Sequence, residues 1–205
     1  MAERLTLYLA SGNPHKAAEL QRLAEASGRA VTIVSAQALG GMPPVDEDTG
    51  AFAGNARKKA LALRPLAPPA AWVLADDSGL CVDALDGRPG VESAYFAGPA
   101  GNAAANLAKL VAQLRGVPAE QRGAHFICVL VAISPEGSEQ IAEGRSDGRL
   151  LAEPRGEAGF GYDPIFVPEG ENRSWGELEE AVKNRSSHRA RAWAALAAGL
   201  PAGPV

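Results

Sequence analysis

The sequence predicts a mixed α/β protein, and three features of the chain predict it. Short β-branched or apolar runs alternate with helical patterns in the first third of the chain. Two of those runs break directly into polar or acidic loops, and the apolar runs in the middle of the chain follow one another with no helix between them. Alternation of this kind marks α/β units, and adjacent strands add antiparallel or mixed pairing.

Leu5 to Ala10 reads as a first buried strand that breaks at Ser11, Gly12, Asn13 and Pro14. A helix follows, with Ala18, Leu20, Leu23 and Ala24 on one side. Val31 to Val34 is a second short strand, and Gly40 to Pro44 a turn region. Phe52 to Leu63 reads as a helix filled with alanine and carrying Arg57, Lys58 and Lys59; Pro65, Pro68 and Pro69 stop it. Trp72 to Ala75 is a third strand that runs into Asp76, Asp77 and Ser78 at its end, and residues 79–101 are rich in glycine and turn formers. Leu107, Leu110, Val111 and Leu114 recur at helical spacing in Asn102 to Leu114. Phe126 to Ile133 is a long apolar strand, with Gln140 to Glu143 as its hairpin partner across Pro135-Glu136-Gly137. Residues 148–163 read as loop, and helical stretches near Trp175–Lys183 and Ser187–Ala198 close the chain before Gly199 and Pro201. A second lobe is expected near residues 79–130.

Composition narrows the function. The chain has 205 residues, enough to bury about 70% of its unfolded surface. Twenty-four acidic against 20 basic residues leave a net charge of −4, which argues against a broad nucleic-acid surface but permits a local basic pocket. Cys81 and Cys128 form no spaced metal motif or disulfide framework and suit a reducing cytoplasm. The start, MAERLTLYLASG, lacks a signal-peptide pattern, and no apolar run approaches the ~18–20 residues of a membrane span.

Five segments carry chemistry. Ser11-Gly12-Asn13-Pro14-His15-Lys16 joins a strand to a helix, offering backbone N–H groups and a lysine to a phosphate without the spacing of a Walker A loop. Asp46-Glu47-Asp48 is an acidic turn, able to give oxygen ligands to Mg²⁺ or simply to be solvated. Asp76-Asp77-Ser78 closes an apolar strand; successive strand residues point to opposite faces, so the two aspartates need not share a role. The run Gly159-Phe160-Gly161-Tyr162-Asp163-Pro164 sets an aromatic residue between glycines, where a flat base could stack on Phe160 or the loop could plug a core. In Lys183-Asn184-Arg185-Ser186-Ser187-His188-Arg189, Ser187 is the N-cap of the last helix. His188 and Arg189 then oppose the dipole in its first turn, which hints at an anion or a carbonyl-bearing base.

In this order and spacing the segments closely resemble the inosine triphosphate pyrophosphatase family, the bacterial dITP/XTP pyrophosphatases in particular. The runs DDSGL, GFGYDPIF and SHRARA carry the resemblance, which extends over nearly the whole chain. It implies an elongated mixed α/β sheet with helices and two lobes around a central substrate cleft, in one domain over residues 1–205 and usually in a homodimer. It implies that Ser11, Gly12, Asn13, Pro14, His15 and Lys16 hold the triphosphate. Asp77 is then the catalytic proton acceptor and a metal ligand, Glu47 the other metal ligand, and Mg²⁺ the cofactor. Ser78, Phe160, Gly161, Tyr162, Asp163, Lys183, His188 and Arg189 fall at substrate-contacting positions. The chain departs from the family at Glu92 and Tyr95, at Ser186, and at Trp175, where the family commonly has Phe.

The implied reaction splits the α–β phosphoanhydride of ITP, dITP or XTP into a monophosphate and pyrophosphate, cleansing the nucleotide pool. Hypoxanthine and xanthine present a carbonyl at position 6, where adenine has an amino group. His188 and Arg189, as donors, would favour the carbonyl, since a buried donor left unpaired costs about 1–3 kcal/mol. Guanine shares that carbonyl and must be rejected at position 2. Two alternatives stand beside this reading: a Maf-like pyrophosphatase of modified pyrimidine nucleotides, and a non-catalytic nucleotide-binding sensor. No nucleic-acid or membrane partner is expected.

Overall fold

The computed structural model describes residues 4–201; the ends of the 1–205 domain reading, and the first residues of the MAERLTLYLASG stretch, lie outside them. Six strands form one sheet in the order β2-β1-β3-β4-β5-β6. They are β1 (Leu5–Leu9), β2 (Val31–Ser35), β3 (Trp72–Val82), β4 (Gly123–Ile133), β5 (Glu139–Leu150) and β6 (Phe166–Pro168). The helices are α1 (Pro14–Ala26), α2 (Phe52–Leu63), α3 (Ala103–Gln113), α4 (Glu180–Ser186) and α5 (His188–Gly199). β1 pairs in parallel with β2, Leu5 against Val31, and with β3, Leu7 against Trp72. β5 and β6 are antiparallel. The mixed α/β class is therefore as the sequence predicts.

The chain divides into two compact units. The first joins the stretch up to Asp77, Cys128–Gly144 and the stretch from Arg189 onward. Strand alternation builds two cores there. Leu7, Leu9, Trp72, Leu74, Cys128, Leu130 and Ala132 point to one face and pack with Leu20 and Leu23 of α1 and Trp193 and Leu196 of α5. The intervening residues Val73, Ala75, Val129, Val131 and Ile133 point to the other and pack with Ala56, Ala60 and Leu63 of α2. With both faces covered, the strands read as continuous apolar runs.

The second unit joins Ser78–Ile127 and Arg145–His188. Its core gathers Leu80 and Val82, Leu110 and Leu114 of α3, Phe126, Tyr162, Phe166, Trp175 and Leu178. Phe126, Phe166 and Trp175 pack ring to ring, with centroids 4.6–5.1 Å apart.

Several elements differ from their predicted extent. β3 does not stop at Ala75 but runs through both aspartates to Val82, because Leu80 and Val82 re-enter a core after the polar step. β5 is three times longer than the hairpin arm expected; its alternating burial, with Ala142, Gly144, Ser146 and Leu150 inward, is masked by glycine and charge. Residues 175–177 form a turn, and α4 begins only at Glu180. β6 is too short to be read from periodicity.

Candidate functional site

The functional side chains fall into three clusters, and strand parity separates the first two. Asp76 continues the face of Trp72 and Leu74, toward α1 and α5; Asp77 continues the face of Val73 and Ala75, toward α2.

On the α1 and α5 face Asp76 is 1% exposed and takes three donors. Arg189 Nε donates to its Oδ2 at 2.7 Å, Lys16 Nζ donates to Oδ1, and Cys128 Sγ lies 3.3 Å from Oδ2. Arg189 Nη1 also donates to Glu19 Oε2 at 2.8 Å. Burial alone would raise the Asp76 carboxyl, but Arg189 and Lys16 outweigh it and hold it well below the usual carboxylate range. The loop before α1 is set by its own side chains. Ser11 Oγ accepts from Asn13 N at 3.1 Å, and Asn13 Oδ1, at the N-cap, accepts from His15 N at 2.9 Å. Pro14 at the first helical position is compatible with its missing N–H. Lys16 thus stands in the first turn of α1, whose N-terminus favours an anion.

On the α2 face Lys59 Nζ donates to Asp77 Oδ1 at 2.7 Å and to Glu47 Oε2 at 3.0 Å. One ammonium therefore gathers two carboxylates. Asn55, fully buried and one turn before Lys59, anchors the acidic loop by accepting from Thr49 N and Thr49 Oγ1. Asp48 instead meets Lys58 at 2.5 Å on the surface. Burial pushes the Asp77 carboxyl up to about 6, against the lowering charges of Lys59 and Lys16. Burial opposes the Lys59 ammonium, yet Asp77 and Glu47 raise its pKa. Asp77 Oδ2 is buried with no hydrogen-bond partner. An orphaned carboxylate oxygen costs free energy unless something binds it. Two carboxylates around a single positive charge, with one oxygen unspent, fit a hard divalent cation that completes its shell with water and phosphate oxygens. Among the described residues no group of three or more His, Cys, Asp or Glu forms a protein-only metal cage.

The third cluster lies in the second unit. Asp163 Oδ2 accepts from Phe160 N and from Lys183 Nζ, both at 2.7 Å, folding the glycine loop back on itself. Gly159, at φ 76°, has no room for a side chain: a Cβ there would stand 2.0 Å from Asp163 Oδ2. Lys183 Nζ lies 4.9 Å from the Phe160 ring centroid and 5.4 Å from that of Trp175. His188 stacks on Phe126 and Trp175 at 4.8 and 5.6 Å.

The structure thus brings Lys16 to Arg189 through Asp76, Glu47 to Asp77 through Lys59, and Phe160, Asp163 and Lys183 to one another. Tyr162 is different: its hydroxyl donates to Ser93 O at 2.9 Å and its ring belongs to the core, so that aromatic plugs rather than projects. Ser78 is half-buried within β3. Ser187 has the extended backbone of an N-cap, closes α4 and immediately precedes α5. Arg189, read from sequence as a donor to an anion or a carbonyl-bearing base, serves two carboxylates. Sequence reasoning missed Lys59, Glu19 and Cys128. The spacing Asn55–Lys59 (i, i+4) and Lys16–Glu19 (i, i+3), which puts each pair on one helix face, was the available signal.

Fold and site together define a mixed α/β protein that collects carboxylates, lysines and a strand-to-helix loop suited to a polyanion and a divalent cation. The chain belongs to the Ham1 family, whose pattern matches residues 7–199. It is 63% identical over 197 residues to the dITP/XTP pyrophosphatase of Opitutus terrae, covering 94% of this chain and 97% of that one. Among solved structures it is similar to a HAM1 protein from Coxiella burnetii, with a TM-score of 0.80 at 34% identity over 95% of this chain and 97% of the other. It is also similar to the nucleoside-triphosphatase / dITP/XTP pyrophosphatase of Mycobacterium abscessus, with a TM-score of 0.73 at 44% identity over 94% and 98% of the two chains. No helix among the described residues is long and apolar enough to cross a membrane.

Proposed function

We propose that the protein hydrolyses inosine- and xanthosine-type nucleoside triphosphates (ITP, dITP and XTP) to the monophosphate and pyrophosphate, with Mg²⁺ as cofactor. The observation that carries the reading is the convergence of Glu47 and Asp77 on one buried ammonium, with Asp77 Oδ2 unspent. Full-length relatives named dITP/XTP pyrophosphatase support the substrate class.

Glu47 and Asp77 would hold the cation. A bound Mg²⁺ supplies neutralisation of phosphate charge and orientation of the attacking water. Asp77 would accept the proton of that water, directly or through the water shell of the cation. Lys59 holds the two acids together before substrate arrives. Lys16 and the loop of Ser11 to His15 bind the triphosphate, with the lysine acting as a point charge. The base falls to the second unit: Phe160 and Lys183 offer a ring and a donor, His188 a further donor, and Ser78 and the backbone of Gly161 to Asp163 the remaining contacts. Arg189, next in the chain, adds its donors to the carbonyl at position 6. Both units belong to one pyrophosphatase domain that works as a cytoplasmic homodimer without a nucleic-acid partner; the free Cys81 and Cys128 and the net charge of −4 support that setting.

Release of pyrophosphate, measured with Mg²⁺ across ITP, XTP, dITP, GTP, ATP and pyrimidine triphosphates, tests the reading. Preference for the first three is the expected result. Preference for modified pyrimidine nucleotides would favour the Maf-like alternative, and binding without turnover would favour a sensor.

A further inference from the structure

We infer that Asp76 is a positioning residue that couples Arg189 to the phosphate-loop lysine, so that Arg189 acts on phosphate binding through Asp76 and Lys16. The inference rests on the reading of Lys16 as a phosphate ligand.

The two oxygens of Asp76 are divided between partners from opposite ends of the chain: Oδ1 accepts from Lys16 in the first turn of α1, and Oδ2 accepts from Arg189 in the first turn of α5. Asp76 sits on a central strand, bounded in its face by Leu74 and Cys128, so the carboxylate has little freedom to follow one partner without the other. Glu19 closes the arrangement. It lies three residues after Lys16 on α1, and its Oε2 accepts from Arg189 Nη1. Arg189 is therefore fixed by a fork of two carboxylates, with its own side chain 1% exposed, while the Lys16 side chain keeps 15% of its surface open. Of the two cations on Asp76, the lysine is the more exposed and stands at the phosphate loop, and its direction is set by the carboxylate that Arg189 aims. A fork of this kind needs the planar guanidinium; a lysine in its place supplies the charge without the two-pronged geometry. Arg189 also places positive charge where the α5 dipole opposes it, which Asp76 and Glu19 offset.

The test uses inorganic pyrophosphate, which has no base for Arg189 to read. Its affinity is measured by calorimetric titration in the presence of Mg²⁺ for wild type, Lys16→Met, Arg189→Lys, Asp76→Asn and the Lys16→Met/Arg189→Lys double variant. Arg189→Lys is expected to weaken pyrophosphate binding by roughly 2- to 150-fold, the range of coupling between residues in one network. The double variant is expected to bind no more weakly than Lys16→Met alone, a non-additivity that general loss of structure does not produce. Unchanged pyrophosphate affinity in Arg189→Lys, with Lys16→Met weakened, overturns the inference while leaving the phosphate-loop reading in place. Unchanged affinity in Lys16→Met overturns that reading and the inference with it. Should Asp76→Asn fail to fold, Arg189→Lys and the double variant still decide the matter.

Discussion

Replacing Asp77 by Asn is expected to remove hydrolysis and, in the absence of metal, to make the protein more stable near neutral pH. The carboxyl is pushed from 3.8 to about 6 chiefly by burial, so the folded state prefers its protonated form. A folded pKa above the unfolded one gives stability that is fully present below about pH 4 and is lost as pH rises through about 6. About two pKa units correspond to ~3 kcal/mol of destabilisation by the ionised group at pH 7–8. An amide of the same shape avoids that cost, although Lys59 then keeps only Glu47 as its partner. In a chain of this size 1 kcal/mol shifts the melting temperature by about 2–4 °C, so a gain of up to ~6–12 °C is the ceiling. Thermal melts by circular dichroism in EDTA, taken from pH 4.5 to 8, measure it. The difference between Asp77→Asn and wild type should grow from pH 4.5 to about pH 6 and level off above about pH 7. A variant less stable than wild type at pH 8, or a difference that does not change with pH, would refute the reasoning that burial dominates this carboxylate.

Other perturbations follow the same logic. Lys59→Met leaves Glu47 and Asp77 without their shared cation; breaking a buried pair costs about 3–5 kcal/mol, and added Mg²⁺ should raise the melting temperature of this variant more than that of wild type. Phe160→Ala should raise the KM for ITP by roughly 5- to 150-fold in steady-state kinetics if stacking on a base is worth about 1–3 kcal/mol, and an unchanged KM would return that ring to a purely packing role. Leu74→Ala, fully buried on the face that carries Asp76, should lose about 2–5 kcal/mol in urea unfolding.

The strands and helices of the first unit were legible because Leu5–Leu9, Val31–Ser35 and Trp72–Ala75 are runs of apolar and β-branched residues, and Phe52–Leu63 carries its own stop in Pro65. β3 was read too short because Asp76 and Asp77 resemble a strand end, and only long-range partners on α1, α2 and α5 make them tolerable inside it. The opposite facing of the two aspartates was legible from the pleat; the partners on each face were not, since Lys16, Lys59 and Arg189 are up to 170 positions from the carboxylates they meet. For the aromatics of the glycine loop the sequence left stacking and plugging both open, and for Tyr162 a distant partner decides: Ser93 O, 69 residues away, takes its hydroxyl, and the ring belongs to the core. Trp175 fills the place of the family's common Phe, and its buried Nε1 has no hydrogen-bond partner, a cost that sequence alone does not reveal.

Asp77 is proposed as the group that activates water for cleavage between the α and β phosphates. Phosphorus NMR of ITP incubated with the protein and Mg²⁺ tests this most directly. The expected spectrum shows IMP and pyrophosphate growing in equal amounts with wild type, and intact ITP with a folded Asp77→Asn variant. Release of orthophosphate and IDP, or undiminished turnover by Asp77→Asn, would contradict it.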